Sequence, residues 1–207
     1  MNFIASVTLE AADVTAATDF YTAFGLGSRV RLRASEAPTS GFRGFVMALT
    51  VPGPATVNGF IDAALNAGAT TLKPAAKSFW GYGGVVQAPD GTIWKVATSH
   101  KRDTGPDTRR IDEMVLLLGT SDVAASKRFY VEQGLTVAKS FGRKYVEFAS
   151  GPDSPVKLAL YGRRALAKDV GVPIDGTGSH RLVLGGTGPF TDPDGFAWEA
   201  ASPALTS

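Results

Sequence analysis

Two residues of this chain stand where chemistry could be done, and they are placed alike. Lys95 ends the stretch "PDGTIWK" (89–95), and Glu199 ends "PDGFAWE" (193–199). An ammonium and a carboxylate at matched positions can pair across a cavity and bind or polarise a polar group of a ligand. The weightier reading is a structural ion pair that fills space, or a frayed contact at the rim. Glu199 alone can act as a general base, which makes it the candidate catalytic residue. Each of the two follows a tryptophan, so strand alternation turns Trp94 and Trp198 the other way, under helices. Burying either charge unpaired would cost several kcal/mol. If both face inward, they are expected to meet each other, water or a ligand.

Other stretches offer less. "SFWGYGG" (78–84) brings Trp80 and Tyr82 together with three glycines. It reads as an aromatic ligand wall or as a strand edge where glycines admit a neighbouring element. His180 has no carboxylate at a matched spacing, and a structural role suits it better than that of a base. The glycines of "GGTG" (185–188) lack the Lys-Ser/Thr ending and following helix of a phosphate-binding loop. The chain has no cysteine, which removes disulfides, thiolate metal sites and cysteine nucleophiles.

The elements that must position these residues recur. "DVTAATDFYTAFGL" (13–26) matches "DVAASKRFYVEQGL" (122–135). Each follows a strand-like stretch, Val7–Leu9 or Met114–Leu118. Each begins with an aspartate suited to an N-cap and closes at a glycine suited to a C-cap. Strands are predicted at 28–33 and 43–51 in the first half, and at 136–141, 144–150 and 156–161 in the second. A Pro-Asp-Gly hairpin closes each half, because proline presets φ, aspartate bonds its own backbone and glycine takes positive φ. Helical spacing predicts a second helix over Val57–Ala69 in the first half. The second half has only a short helix-like stretch at 163–172, and none is predicted between His180 and Pro189. The expected organisation is one module at 1–99, a polar linker at 100–108, and a second module at 109–207 that lacks the second helix.

Composition bounds the partners. Lysine plus arginine number 21 against 19 acids, and no basic stripe is interleaved with aromatics, so no nucleic-acid partner is expected. No apolar run is long enough to span a bilayer, and no membrane partner is expected. The start of the chain has no basic, apolar leader, so a cytoplasmic location is expected.

The two "DV…FY…GL" stretches, "FWGYGG" before "PDGTIW", and "DPDGFAWE" together resemble the vicinal oxygen chelate superfamily, the glyoxalase / bleomycin resistance protein / dioxygenase fold. The resemblance implies an α+β fold in which paired βαβββ modules form curled mixed sheets around a shared cavity. It also implies metal-ligand positions on the first and last strand of each module. These fall at Ser6, about Val115, Lys95 and Glu199. Only Glu199 is a ligand type, and a protonated Lys95 has no lone pair to offer. Glu113 shares the face of Val115 and enters if the register slips by two. No metal and no other cofactor is therefore expected. The reading is a metal-free protein that binds a small, largely apolar or aromatic molecule through Lys95, Glu199, Ser6, Trp80, Tyr82 and Glu113, with a homodimer as the possible assembly. The alternative is a lyase, isomerase or dioxygenase that uses Glu199 as base or a displaced metal site.

Overall fold

The computed structural model describes residues 4–103, 105–151 and 154–201. The extreme ends of the two expected modules, 1–3 and 202–207, and position 104 of the expected linker lie outside the described residues. The first half runs β1 (Ser6–Ala11), α1 (Val14–Phe24), β2 (Arg31–Ala34), β3 (Thr39–Gly41), β4 (Phe45–Thr50), α2 (Pro54–Asn66), β5 (Thr70–Ser78), β6 (Gly81–Gln87) and β7 (Ile93–Thr98). The second runs β8 (Glu113–Thr120), α3 (Val123–Glu132), β9 (Val137–Phe141), β10 (Tyr145–Phe148), β11 (Lys157–Gly162), α4 (Arg163–Val170), β12 (Gly176–Gly178), β13 (Leu182–Thr191) and β14 (Ala197–Ala200). The order of helices and strands is the same in both halves. The second half does have a second helix: α4 lies between β11 and β12, where α2 lies between β4 and β5.

Local chemistry starts and stops the helices. Asp13 accepts a hydrogen bond from the Ala16 N–H, and Asp122 from those of Ala124 and Ala125. These bonds satisfy donors that a helix start leaves open. Gly25 ends α1 at φ 90°, a left-handed value that costs glycine nothing. Behind each closing hairpin a tryptophan is tied to the helix. The Trp94 Nε1–H donates to the Tyr21 hydroxyl, which donates to Asp90 at 2.8 Å. The Trp198 Nε1–H donates to the Tyr130 hydroxyl, which donates to Asp192 at 2.6 Å. Both tryptophans are buried, at 0% and 2% exposure.

The halves do not each build their own sheet. β1 and β2 join β13 and β14 in a four-stranded sheet of order β14-β13-β1-β2. The remaining long strands form an eight-stranded sheet, β5-β6-β7-β4-β8-β11-β10-β9, sewn at its centre by the antiparallel pair β4·β8. The βαβββ units within it are β4-α2-β5-β6-β7 and β8-α3-β9-β10-β11, each shorter than a half of the chain. This corrects the expected boundaries. The physical reason is that β4 leads the second helix of its own half, so it pairs with β7 and leaves β1 to find partners at the end of the chain. The fold is α+β with mixed sheets, and β3 and β12 form a separate two-stranded ribbon.

Candidate functional site

Register across the large sheet fixes which side chains share its inner face. Ala48 lies opposite Lys95 on one side and Val115 on the other, and Val115 lies opposite Lys157. Directly opposed residues point the same way, so Lys95, Ala48, Val115 and Lys157 form one row across β7, β4, β8 and β11. In the next row Thr50 lies between Ala97 and Glu113. On the other side of the Lys95 row, the inner face is covered by α4. Leu166, Ala167 and Val170 pack on Val46, Val85 and Ile93 in an apolar cluster separate from the main core. Their spacing puts all three on one helix face. The cleft is thus partly filled by the chain itself.

The polar edge of α4 meets the lysines. The Lys95 ammonium pairs with Asp169 at 2.6 Å, and Lys73 donates to the carbonyl oxygens of Lys168 and Asp169 at 3.2 and 2.5 Å. A cation suits this end of a helix, where carbonyls are left unpaired. Lys157 pairs with Glu113 at 2.5 Å. These pairs are half-exposed, so each contributes at most about 1 kcal/mol. A cavity of about 320 Å³ remains beside α4, lined by Lys73, Lys77, Val85, Lys95, Ala97 and Asp169 among others. Its charged lining is three lysines and one aspartate.

Glu199 is elsewhere. It lies on the four-stranded sheet in register with Gly185, which is in register with Ser6. Ser6 and Glu199 therefore share a row, and Lys95 and Glu199 do not meet. The expected pairing across one cavity is corrected for the reason already given: β7 and β14 belong to different sheets. Arg33 on β2 takes Glu199 instead, at 2.7 Å, while its other nitrogens hold Glu10 at 2.7 and 3.1 Å. The guanidinium holds one of the two Glu199 carboxylate oxygens, Oε1. The hydrogen bonds it donates to Glu199 and then to Glu10 push the Arg33 pKa above its ordinary value.

Residues 82, 84 and 86 of β6 face α2: the Tyr82 hydroxyl donates to Asn58, and a Cβ on Gly84 would meet Ile61 Cδ1 at 2.6 Å. The Tyr82 hydroxyl is thus held on the helix side of the sheet, although the residue also borders the cavity that Lys95 and Trp80 line. At Gly81 a Cβ would meet the Thr98 carbonyl oxygen at 2.0 Å, so these glycines serve close packing of neighbouring elements. Trp80 stands at the rim, 83% exposed. His180 is structural: its ring stacks on Phe196 at 4.0 Å, with Nδ1 2.5 Å from the Arg43 carbonyl oxygen and Nε2 3.1 Å from that of Asp194. It borders a larger cavity of about 570 Å³ outside the cleft. Arg43, Arg163 and Asp175 line it too, and the Arg43 Nη1 is buried there without a hydrogen-bond partner among the described residues.

Neither sheet offers donors that fit a metal. The row at the large cleft presents two ammonium groups, an alanine and a valine. On the small sheet, Glu10 and Glu199 are already bridged by a guanidinium. Among the described residues no three of His, Cys, Asp and Glu converge.

Asp169, Lys157 and Arg33 were not singled out from the sequence. Arg31-Leu32-Arg33 alternates basic and apolar, which was a signal for one charged strand face. Nothing local marks Asp169 as the partner of Lys95, since the two are 74 positions apart.

Neither a protein-family model nor a curated protein sequence matches the chain. Solved structures do resemble it. A V278E mutant of glyoxalase I from Zea mays superposes with a TM-score of 0.59 at 12% identity, covering 96% of this chain and 91% of its own. A putative dioxygenase from Bacillus subtilis superposes at 0.56 with 13% identity, covering 88% and 69%. At such identities the likeness concerns the fold.

Proposed function

We propose, for a chain that has the vicinal oxygen chelate fold, that it binds a small organic anion with an apolar or aromatic body, without a metal, in the cleft beside α4. The observation that carries this reading is the lysine-rich lining of the cavity beside α4, where Lys73, Lys77 and Lys95 face a single carboxylate, Asp169. An ammonium donates three hydrogen bonds and accepts none, so it suits a carboxylate and repels a cation. Val85 and Ala97 give the same cavity apolar lining, and its volume of about 320 Å³ is at the small end for organic ligands.

The test is calorimetric titration of chelator-treated protein with phenylacetate and with its neutral alcohol analogue. Phenylacetate is expected to bind and the alcohol to bind at least about tenfold more weakly, a difference that Lys95→Met abolishes. Failure of any aromatic carboxylate to bind would overturn the reading. So would binding that requires stoichiometric Zn, Ni or Mn.

A further inference from the structure

Phe79 and Trp80 form the two-residue connection between β5 and β6, and they are 81% and 83% exposed. Connections of this length favour glycine and asparagine for backbone reasons. Here Ser78 holds the turn: its hydroxyl accepts from the Trp80 N–H at 3.2 Å and donates to the Gly81 carbonyl oxygen. Neither aromatic side chain is needed for that. The rings meet each other edge to face at 4.9 Å, and the Lys101 ammonium lies 5.6 Å from the centre of the Phe79 ring. Lys77, just before Ser78, and Lys101, over the Phe79 ring, are exposed at this tip, and Arg102 follows Lys101 in the chain and is exposed too. The nearby Asp103 is turned to the start of α2, where it accepts from the Ala55 N–H at 2.6 Å.

We propose that the Phe79–Trp80 tip docks on an anionic lipid surface, its rings in the interfacial layer and Lys77, Lys101 and Arg102 against the headgroups. Size argues against a second copy of the chain. Two aromatic side chains bury about 150–250 Å² each, well short of the roughly 800 Å² per partner in a stable protein interface. A bilayer needs no complementary surface. It accepts a narrow protruding wedge, places tryptophan at the headgroup level and lets lysine and arginine reach the phosphates. The collar of cations supplies the charge complementarity. No described helix is long and apolar enough to cross a membrane; the proposed contact is with the bilayer surface, and it replaces the expectation that the protein has no membrane partner. The inference is independent of the cleft, although Trp80 borders both and would bring the cleft mouth to the lipid.

The experiment is co-sedimentation of the whole protein with phosphatidylcholine vesicles, with and without about one third phosphatidylserine. Tryptophan emission is followed in parallel; Trp94 and Trp198 are buried, so a change on adding vesicles reports Trp80. Binding is expected only to the anionic vesicles, with a blue shift of Trp80, and is expected to weaken steeply at about 0.5 M salt. The double variant F79S/W80S should keep the wild-type unfolding midpoint and lose at least about tenfold in partitioning. Three results would overturn the proposal. One is no binding to anionic vesicles. Another is equal binding by the double variant. The third is a wild-type dimer in gel filtration that the double variant dissolves, which would make the tip a self-association surface.

Discussion

Equivalent tyrosines at the two closing hairpins use different aspartates. Tyr21 donates to Asp90, inside its Pro-Asp-Gly turn, whereas Tyr130 donates to Asp192, one residue ahead of the turn. Asp192 also accepts from the N–H groups of Asp194 and Phe196. Burial raises its pKa, and the Tyr130 and backbone hydrogen bonds only partly offset that. A carboxyl whose folded pKa is raised contributes stability below its unfolded pKa and loses it as pH rises through the folded one. Asp192→Asn keeps an acceptor oxygen and removes the titration. The unfolding midpoint of the variant is therefore expected to gain on the wild type as pH rises from about 3 to about 7. Thermal unfolding of both across that range checks it, and a difference that stays flat or runs the other way would refute it.

Among the elements, α4 has the most consequence for the site. It covers one end of the inner face of the large sheet and presents Asp169 to Lys95. Leu166 is 1% exposed in that cluster. Leu166→Ala is expected to cost about 2–5 kcal/mol, as for other buried leucines, read from urea unfolding. A loss under about 1 kcal/mol would mean that α4 does not pack on the sheet as described. The first helix gives a milder expectation. Asp13→Ala removes the bond to the Ala16 N–H and should cost about 1 kcal/mol, typical of an N-cap.

For the whole molecule, the decisive feature is that each sheet takes strands from both halves. β4 pairs with β8 along six residues, from Phe45↔Leu118 to Thr50↔Glu113, and β1 pairs with β13. Neither half can then bury its sheets alone. Cutting the chain between Lys101 and Arg110 is expected to leave two fragments that fold only together, giving one co-purifying complex and one unfolding transition. A dispersed amide spectrum from the fragment 1–101 by itself would refute this.

Much of the local structure was legible in the sequence, because short-range chemistry decides it. The aspartate caps, the glycine stops, the Pro-Asp-Gly turns and the burial of Trp94 and Trp198 follow from neighbours a few residues away. Strand alternation likewise turned Lys95 and Glu199 away from the helices that cover the tryptophans. Only the tertiary structure decided which sheet each strand joined. Alternation fixes the face of a residue but not the partner of its strand, and strand pairing is set by non-local burial and chain closure. Hence Lys95 found Asp169 on a helix docked in its own cleft, and Glu199 found Arg33 across another sheet.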